Sequence, residues 1–508
     1  MQLLLGHCSS MAVLTPLPSR SWNAETAAHL LNRAGFGGTP EEIEALRKLG
    51  LEASVHRLVD ETGDAANVPP PAWAKPENIF EKRKQVREAR QSANPEARQM
   101  LREFRQTQGE DLLDLRRWWL ERMATTPAPL LEKMTLFWHG HFATSAEKVK
   151  DGYWLWLQND TLRRNALGNF VSLTKAISRD PAMMIYLDLP QSQPAHPNEN
   201  WARELMELFT IGIGNYSEDD VRESARAFTG YRLNPFNQAS RFAPRQHDGG
   251  IKKFMGNAAP LNGDDVIDIL ARQPACSNFI ARKLWRFFAE DQPPTQVVDA
   301  LAVRLREHSY ELRPVLREMF SSAEFYSPAA LRSQIKSPVQ FIVQTAKQLG
   351  GELPAPFVAQ NAMRQMGQLI FAPPNVKGWD GGKAWITTST LLFRYNFANY
   401  LINGDAMLPF AQQRREKGGD LAVRRGGIYA QVPPRDPIDV TKLIPADLRD
   451  KPDALVHSLG IRLFGAPAPQ KEHAAFVQFL EQRRPDFGDQ TMRELLHLMT
   501  STPQFQLA

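Results

Sequence analysis

The chain has 508 residues, 43% hydrophobic and 23% charged, a balance that excludes a disordered chain, a collagen-like chain and a disulfide miniprotein. Lysine and arginine number 61 against 56 aspartates and glutamates, a net charge of +5, too small a surplus on so long a chain to argue for nucleic acid. No run reaches the ~18 consecutive apolar residues of a membrane span, and Cys8 and Cys276 stand in unrelated contexts, which excludes a disulfide framework and a two-thiol redox motif.

In chain order, residues 1–21 read as an N-terminal tail. Leu3-Leu4-Leu5 has no basic residue ahead of it and falls short of the ~7–15 apolar residues of an export leader. The expectation is a cytoplasmic protein. The alternative is a periplasmic one, carried by a leader-bearing partner or made from a different start. Residues 22–34 place Trp22, Ala27, Leu30, Leu31 and Ala34 at helical spacing, and Gly35, Gly37 and Gly38 stop the helix. Thr39-Pro40-Glu41-Glu42 opens the next one, with Thr39 as N-cap and Glu42 completing a capping box. Residues 64–110 read as an excursion, a Pro/Ala-rich loop followed by a charged stretch divided by Pro95. Mixed-sign helices of that kind are exposed faces. A helix over 126–140 has Thr126 as cap and Leu130, Met134 and Phe137 on one face. Further helices follow to about 230 and over 262–290 and 327–350; in the former, Ile280, Leu284, Phe287 and Phe288 keep the helical period.

These signals predict a mainly α fold, one large multi-helix body with long loop excursions. Residues 22–410 form its core, 411–445 an Arg/Gly/Pro-rich loop, and 446–508 a C-terminal helical segment packed on the core.

Four polar clusters carry potential chemistry. The first is Phe137-Trp138-His139-Gly140-His141-Phe142. Residues two apart on a continuous helix point about 200° apart. A helix-ending Gly140 in the left-handed conformation lets the two rings converge, as metal ligands or an acid/base pair. The second runs from Asn198 to Gly212, where Asn200, Arg203, Glu204 and Glu207 form one polar stripe on a helix begun at Pro197-Asn198 and ended at Gly212. Facing solvent, that stripe is a row of Glu199–Arg203 and Arg203–Glu207 pairs worth ~0.2–0.5 kcal/mol each. Facing inward, Glu204 and Glu207 become metal ligands or a general acid and base. The third is Gln246-His247-Asp248-Gly249-Gly250, a His-Asp pair in a glycine loop that reads either as a cleft wall or as a polar turn. The fourth, Pro373 to Trp385, is a rigid Pro/Gly/Trp loop that either lines a groove or covers a core edge.

Taken in order, His29-Leu30-Leu31-Asn32-Arg33-Ala34-Gly35-Phe36-Gly37, Phe137 to Phe142, Asn198 to Leu208, Asp220-Val221 with Phe228-Thr229-Gly230-Tyr231, His247-Asp248 and Pro374-Asn375-Val376-Lys377-Gly378-Trp379 resemble the signatures of the bacterial "domain of unknown function 1800" family. The resemblance spans about residues 22 to 402. It implies polar motifs embedded in a helical protein and transfers no catalytic residue. It also implies a neighbour, the "domain of unknown function 1501" family, which resembles the alkaline-phosphatase/sulfatase group.

Three functions follow as expectations. The first is a metal-dependent hydrolase or oxidoreductase, with a divalent metal on His139, His141, Glu204 and Glu207 and with Arg203, His247 and Asp248 completing the catalytic set. The second is a non-catalytic binding or chaperone-like partner of the phosphatase/sulfatase-like neighbour. The third is a two-carboxylate glycosidase, disfavoured because Glu204 and Glu207 share one helix face and cannot flank a bond.

Overall fold

The computed structural model describes residues 13–63, 67–77, 79–92, 94–234, 236–404, 435–485 and 487–508. Most of the 411–445 loop expected from the sequence lies outside the described residues.

The expected capping signals are in place. Asn23 caps α1 (Ala24–Ala34). Thr39 and Glu42 close their box at the start of α2 (Pro40–Leu49), with the Thr39 N–H donating to the Glu42 carboxylate at 2.8 Å. Next come α3 (Leu51–Val59), α4 (Ile79–Gln91) and the long α5 (Pro95–Thr125). The charged stretch is therefore a helical hairpin turned at Asn94-Pro95. Then follow α6 (Pro129–His141), α7 (Ala146–Val149), α8 (Gly152–Asn165), α9 (Phe170–Ser178) and α10 (Pro181–Tyr186). Thr126 ends α5 instead of starting α6. Its hydroxyl accepts from the Ala128 N–H, and the second proline of the pair, Pro129, occupies the first turn of α6.

α11 (Glu199–Glu204) widens without a break into a π-helical turn over Leu205–Thr210. After α12 (Glu218–Ala227) two short antiparallel hairpins interrupt the helices: β1 (Tyr231–Leu233) with β2 (Ser240–Phe242), and β3 (Lys252–Phe254) with β4 (Asn257–Ala259). The chain continues through α13 (Gly263–Arg272), α14 (Pro274–Phe288), α15 (Thr295–Glu307), α16 (Leu312–Ser321), α17 (Pro338–Gln348), α18 (Pro356–Met366) and α19 (Thr388–Asn403). It closes with α20 (Pro452–Phe464), α21 (Gln470–Glu481) and α22 (Asp489–Thr500). The protein is mainly α, as expected. Among the described residues no helix is long and apolar enough to cross a membrane.

Two hydrophobic clusters organise the helices. One gathers α1–α3, α6 and α9–α16; the other gathers α5 and α17–α22. α6 and α8 serve both, since Leu136, Trp154 and Leu155 join the second cluster while Phe137, Trp138 and Leu162 join the first. Where these helices meet α5 the interior holds a charge network. Glu132, fully buried, accepts from Arg163 at 2.7 and 3.0 Å and from Trp119 at 2.9 Å, and pairs with Arg122 as well. Burial pushes the Glu132 carboxyl up, but the two guanidinium groups outweigh it and hold the group below its ordinary range. This network fixes the pitch of α6, whose far end carries the two histidines.

Candidate functional site

α6 continues through Gly140 to His141, so Gly140 is not the left-handed helix stop expected from the sequence. A continuous helix sends residues two apart to opposite sides, and the rings diverge. The Gly140 carbonyl instead lies under a close approach that Gly378 makes possible. The loop after α18 crosses it at Gly378, which has φ +87°, and a β-carbon there would collide with the Gly140 carbonyl. This loop covers a core edge, and its Trp379 ring lies 5.7 Å from the His139 ring.

His139 turns toward the second cluster. Its Nε2 accepts the Phe371 N–H at 3.0 Å, and its ring meets Trp119 edge-on. Burial, helped by Arg116, brings its pKa down to about 3. A neutral imidazole has one lone pair; at His139 it is engaged, and the proton sits on Nδ1, which has no partner.

His141 turns the other way, into a nest of Trp138, Phe142, Phe170 and Phe209 rings. Its Nε2–H donates to the Phe209 carbonyl at 3.0 Å, and its Nδ1 accepts from the Lys283 amine at 3.0 Å. These hydrogen bonds assign the tautomer. Burial and the Lys283 charge hold its pKa well below the ordinary value.

The π turn explains why those carbonyls are free. Helix ends leave their last C=O groups without intrahelical donors, and the wider turn closes on Met206, whose carbonyl accepts from Ile211 and Gly212. Leu208 and Phe209 point their carbonyls toward α6 and α14, where Lys283 Nζ takes the first at 3.1 Å and His141 takes the second. π turns occur frequently at functional sites. The helix starts at Asn198 and stops at Gly212, φ +79°, where the sequence indicated.

Lys283 was not singled out by sequence reasoning. A signal was present: it stands three residues after Ile280 and four before Phe287, a cation on an otherwise apolar helix face. It is half-buried, with the Phe279 ring 4.8 Å from the amine. Burial, then the Arg286 and Lys377 charges, lowers its pKa to about 7.

Of the polar stripe, Arg203, Glu204 and Glu207 are half-buried and Asn200 is exposed. Arg203 makes the expected contact with Glu199 at 3.5 Å, but its main partner is Glu218 on α12, at 2.8 and 2.7 Å, and not Glu207. Glu207 accepts from the Tyr216 hydroxyl at 2.8 Å. Glu204 has no hydrogen bond or ion pair among the described residues. Burial and the neighbouring Glu207 charge raise its pKa. Glu207 directly precedes Leu208, so one turn of helix carries both the carboxylate pair and the carbonyl that holds the Lys283 amine.

His247 and Asp248 lie elsewhere, pinned to α12. His247 Nδ1 donates to the Thr229 carbonyl at 3.0 Å. Asp248 accepts from Arg226 at 2.7 Å and from the Gly250 N–H at 2.9 Å, and the Arg226 contact holds its carboxyl below the usual range. None of these bonds reaches α6 or the α11 carboxylates. The first signature is likewise an internal clamp: His29 donates to the Phe325 carbonyl at 3.0 Å, and Arg33 to that of Ala330 at 2.6 Å.

Among the described residues no three His, Cys, Asp or Glu side chains are grouped to hold a metal ion. A cleft of about 570 Å³ between α5 and the α17–α18 connection is lined by Leu120, Ala124, Ala346, Leu353, Pro354 and Ala359; none of the residues singled out from the sequence lines it. A smaller one of about 280 Å³ includes Ile185 and Asp188. These flank Tyr186, whose hydroxyl is shifted up by burial and then by the Glu204 charge.

No curated protein and no solved structure is similar enough to match. A family model described as "Protein of unknown function (DUF1800)" matches residues 29–507, nearly the whole chain, and the signatures it spans are those that build α6, the π turn and the loop over Gly140; the chain belongs to the DUF1800 family.

Proposed function

We propose that the chain is a metal-independent acid–base enzyme whose working groups are the Lys283 amine and the Glu204–Glu207 pair. The observation that carries this reading is the position of Lys283 Nζ between His141 Nδ1 and the Leu208 carbonyl. A neutral primary amine has two hydrogens and one lone pair. The two acceptors take the hydrogens and leave the lone pair to accept a proton or attack a carbonyl carbon. A pKa of about 7 is the value a general base needs near neutral pH. Glu204, with its pKa raised, is the complementary proton donor. The reactions that fit are ester or lactone hydrolysis and proton abstraction beside a carbonyl.

A divalent metal on His139 and His141 fits less well. It would have to displace the Phe371 N–H from one lone pair and the Lys283 amine from the other. The rings also face opposite sides of α6.

The experiment is a turnover screen of the purified chain on esters, lactones and oxo acids, with Lys283→Met and Glu204→Gln beside it. The expected result is turnover that Lys283→Met reduces by about 100-fold or more with a cooperative melt retained. Equal turnover by the variant would overturn the proposal. The cleft of about 570 Å³, lined by apolar side chains and by Arg117, Glu121, Lys347 and Glu352, favours a second reading, a helical binding partner of the phosphatase/sulfatase-like neighbour. Co-purification of that neighbour, lost on Leu120→Arg and unaffected by Lys283→Met, would support it.

A further inference from the structure

Among the described residues buried Arg163 pairs with a carboxylate, whereas the buried cations Arg33, Arg116, Lys133, Lys336 and Arg394 make no ion pair, and the last two lie together. Lys336, just before α17, and Arg394, on α19, are 1% and 0% exposed, and Gln506, on the C-terminal segment, is 4% exposed. The three are joined. Arg394 donates to the Lys336 carbonyl at 2.9 Å and approaches the Gln506 side-chain oxygen at 3.5 Å, and the Lys336 N–H donates to the Gln506 carbonyl at 2.8 Å. Each retains a buried N–H group with no acceptor among the described residues: Lys336 Nζ, Arg394 Nε and Gln506 Nε2. The Lys336 amine lies over the Phe505 ring at 4.2 Å and the Arg394 guanidinium over the Phe341 ring at 4.9 Å. Those faces attract a cation but accept no full hydrogen bond.

No ion pair reaches Lys336 or Arg394 among the described residues. The influences on Lys336 are burial and then the Arg394 charge, which bring its pKa down to about 7; burial lowers that of Arg394 to about 10. A nearby carboxylate would act in the opposite direction. Two adjacent buried cations with three orphan donors are unfavourable unless something compensates them.

We propose that Lys336, Arg394 and Gln506 form an internal binding site for a small monovalent anion, chloride in kind. Turned toward one point, three donors from three side chains would suit a spherical ion of single charge. A phosphate brings more acceptor oxygens than these donors can satisfy. The anion ties α17, α19 and the C-terminal segment together, and it favours protonated Lys336, so it binds more tightly as pH falls.

The test is thermal melting of the full chain in sodium chloride, bromide and gluconate at equal ionic strength. Chloride and bromide should raise Tm over gluconate in a saturable way, by about 2 °C or more, and by more at about pH 6 than at about pH 8. Lys336→Met should abolish the difference. Should that variant fail to fold, anomalous scattering from a bromide-soaked crystal of the unmodified chain decides: bromide at the three donors supports the site, and water there overturns it. Equal melts in the three salts, or a Lys336→Met chain that keeps the full chloride effect, would also overturn it.

Discussion

The Lys283 amine stands 3.0 Å from His141 Nδ1, although 142 residues separate the two in the chain. The contact joins the middle of α14 to the last turn of α6. Through the Leu208 and Phe209 carbonyls it also locks the π turn against both. An imidazole that donates to one carbonyl and accepts from one amine has a fixed orientation. His141 is therefore a positioning residue for the lysine.

The Glu132 network predicts a strong and specific stability loss. Glu132→Gln removes the charge facing Arg163, which is fully buried, and leaves that guanidinium uncompensated. The expected cost is about 3–5 kcal/mol, read by denaturant unfolding. A loss below about 1 kcal/mol would mean that water reaches the pair.

Asp180 predicts a pH dependence. It caps α10, accepts from the Met183 N–H and from Gln158 at 2.8 Å each, and is almost fully buried. Burial raises its pKa from 3.8 to about 7. The folded chain thus holds the proton more tightly than the unfolded one, so this group's contribution to stability falls as pH rises from about 4 to about 7 and stays low above that. Asp180→Asn keeps the accepting oxygen and removes the ionisation. It should stabilise the chain by about 2–4 kcal/mol at about pH 8 and by little at about pH 4, in melts at the two values. An equal effect at both would contradict the assignment.

The two stripe carboxylates predict different signatures. Glu204→Gln should change stability by about 0–1 kcal/mol, because the side chain is half-buried and has no hydrogen-bond or ion-pair partner among the described residues. Glu207→Gln should act on Tyr216, whose hydroxyl is pushed up to about 12 by burial and by its bond to Glu207. Removing that charge should return the phenol toward its ordinary value of ~10, measured as tyrosinate absorbance in an alkaline titration. An unchanged titration would mean that burial alone sets the shift.

Much of the scaffold was legible because local signals act within a few residues. The Thr39–Glu42 box, the Asn198 start and the Gly212 stop each depend on side chains reaching the adjacent backbone. The site was less legible. Gly140 followed by His141 reads as a helix end, yet tertiary packing carries α6 one residue further, and it is Gly378, not Gly140, that must be glycine where the two segments cross. The π turn leaves no mark in composition, since one extra residue per turn keeps the apolar face of Leu205, Met206 and Phe209. Lys283 sat in a helix read only for its apolar period. Glu132 and Arg163 are 31 residues apart, and no local spacing links them.

Under the proposed function Lys283 carries a free amine lone pair near neutral pH, held by His141. Competitive acetylation of the full chain across pH, with each lysine followed by peptide mass spectrometry, tests it most directly. Lys283 should titrate near 7, apart from the exposed lysines at ~10.4, and its curve should move in His141→Phe. A Lys283 that titrates with the exposed lysines would contradict it.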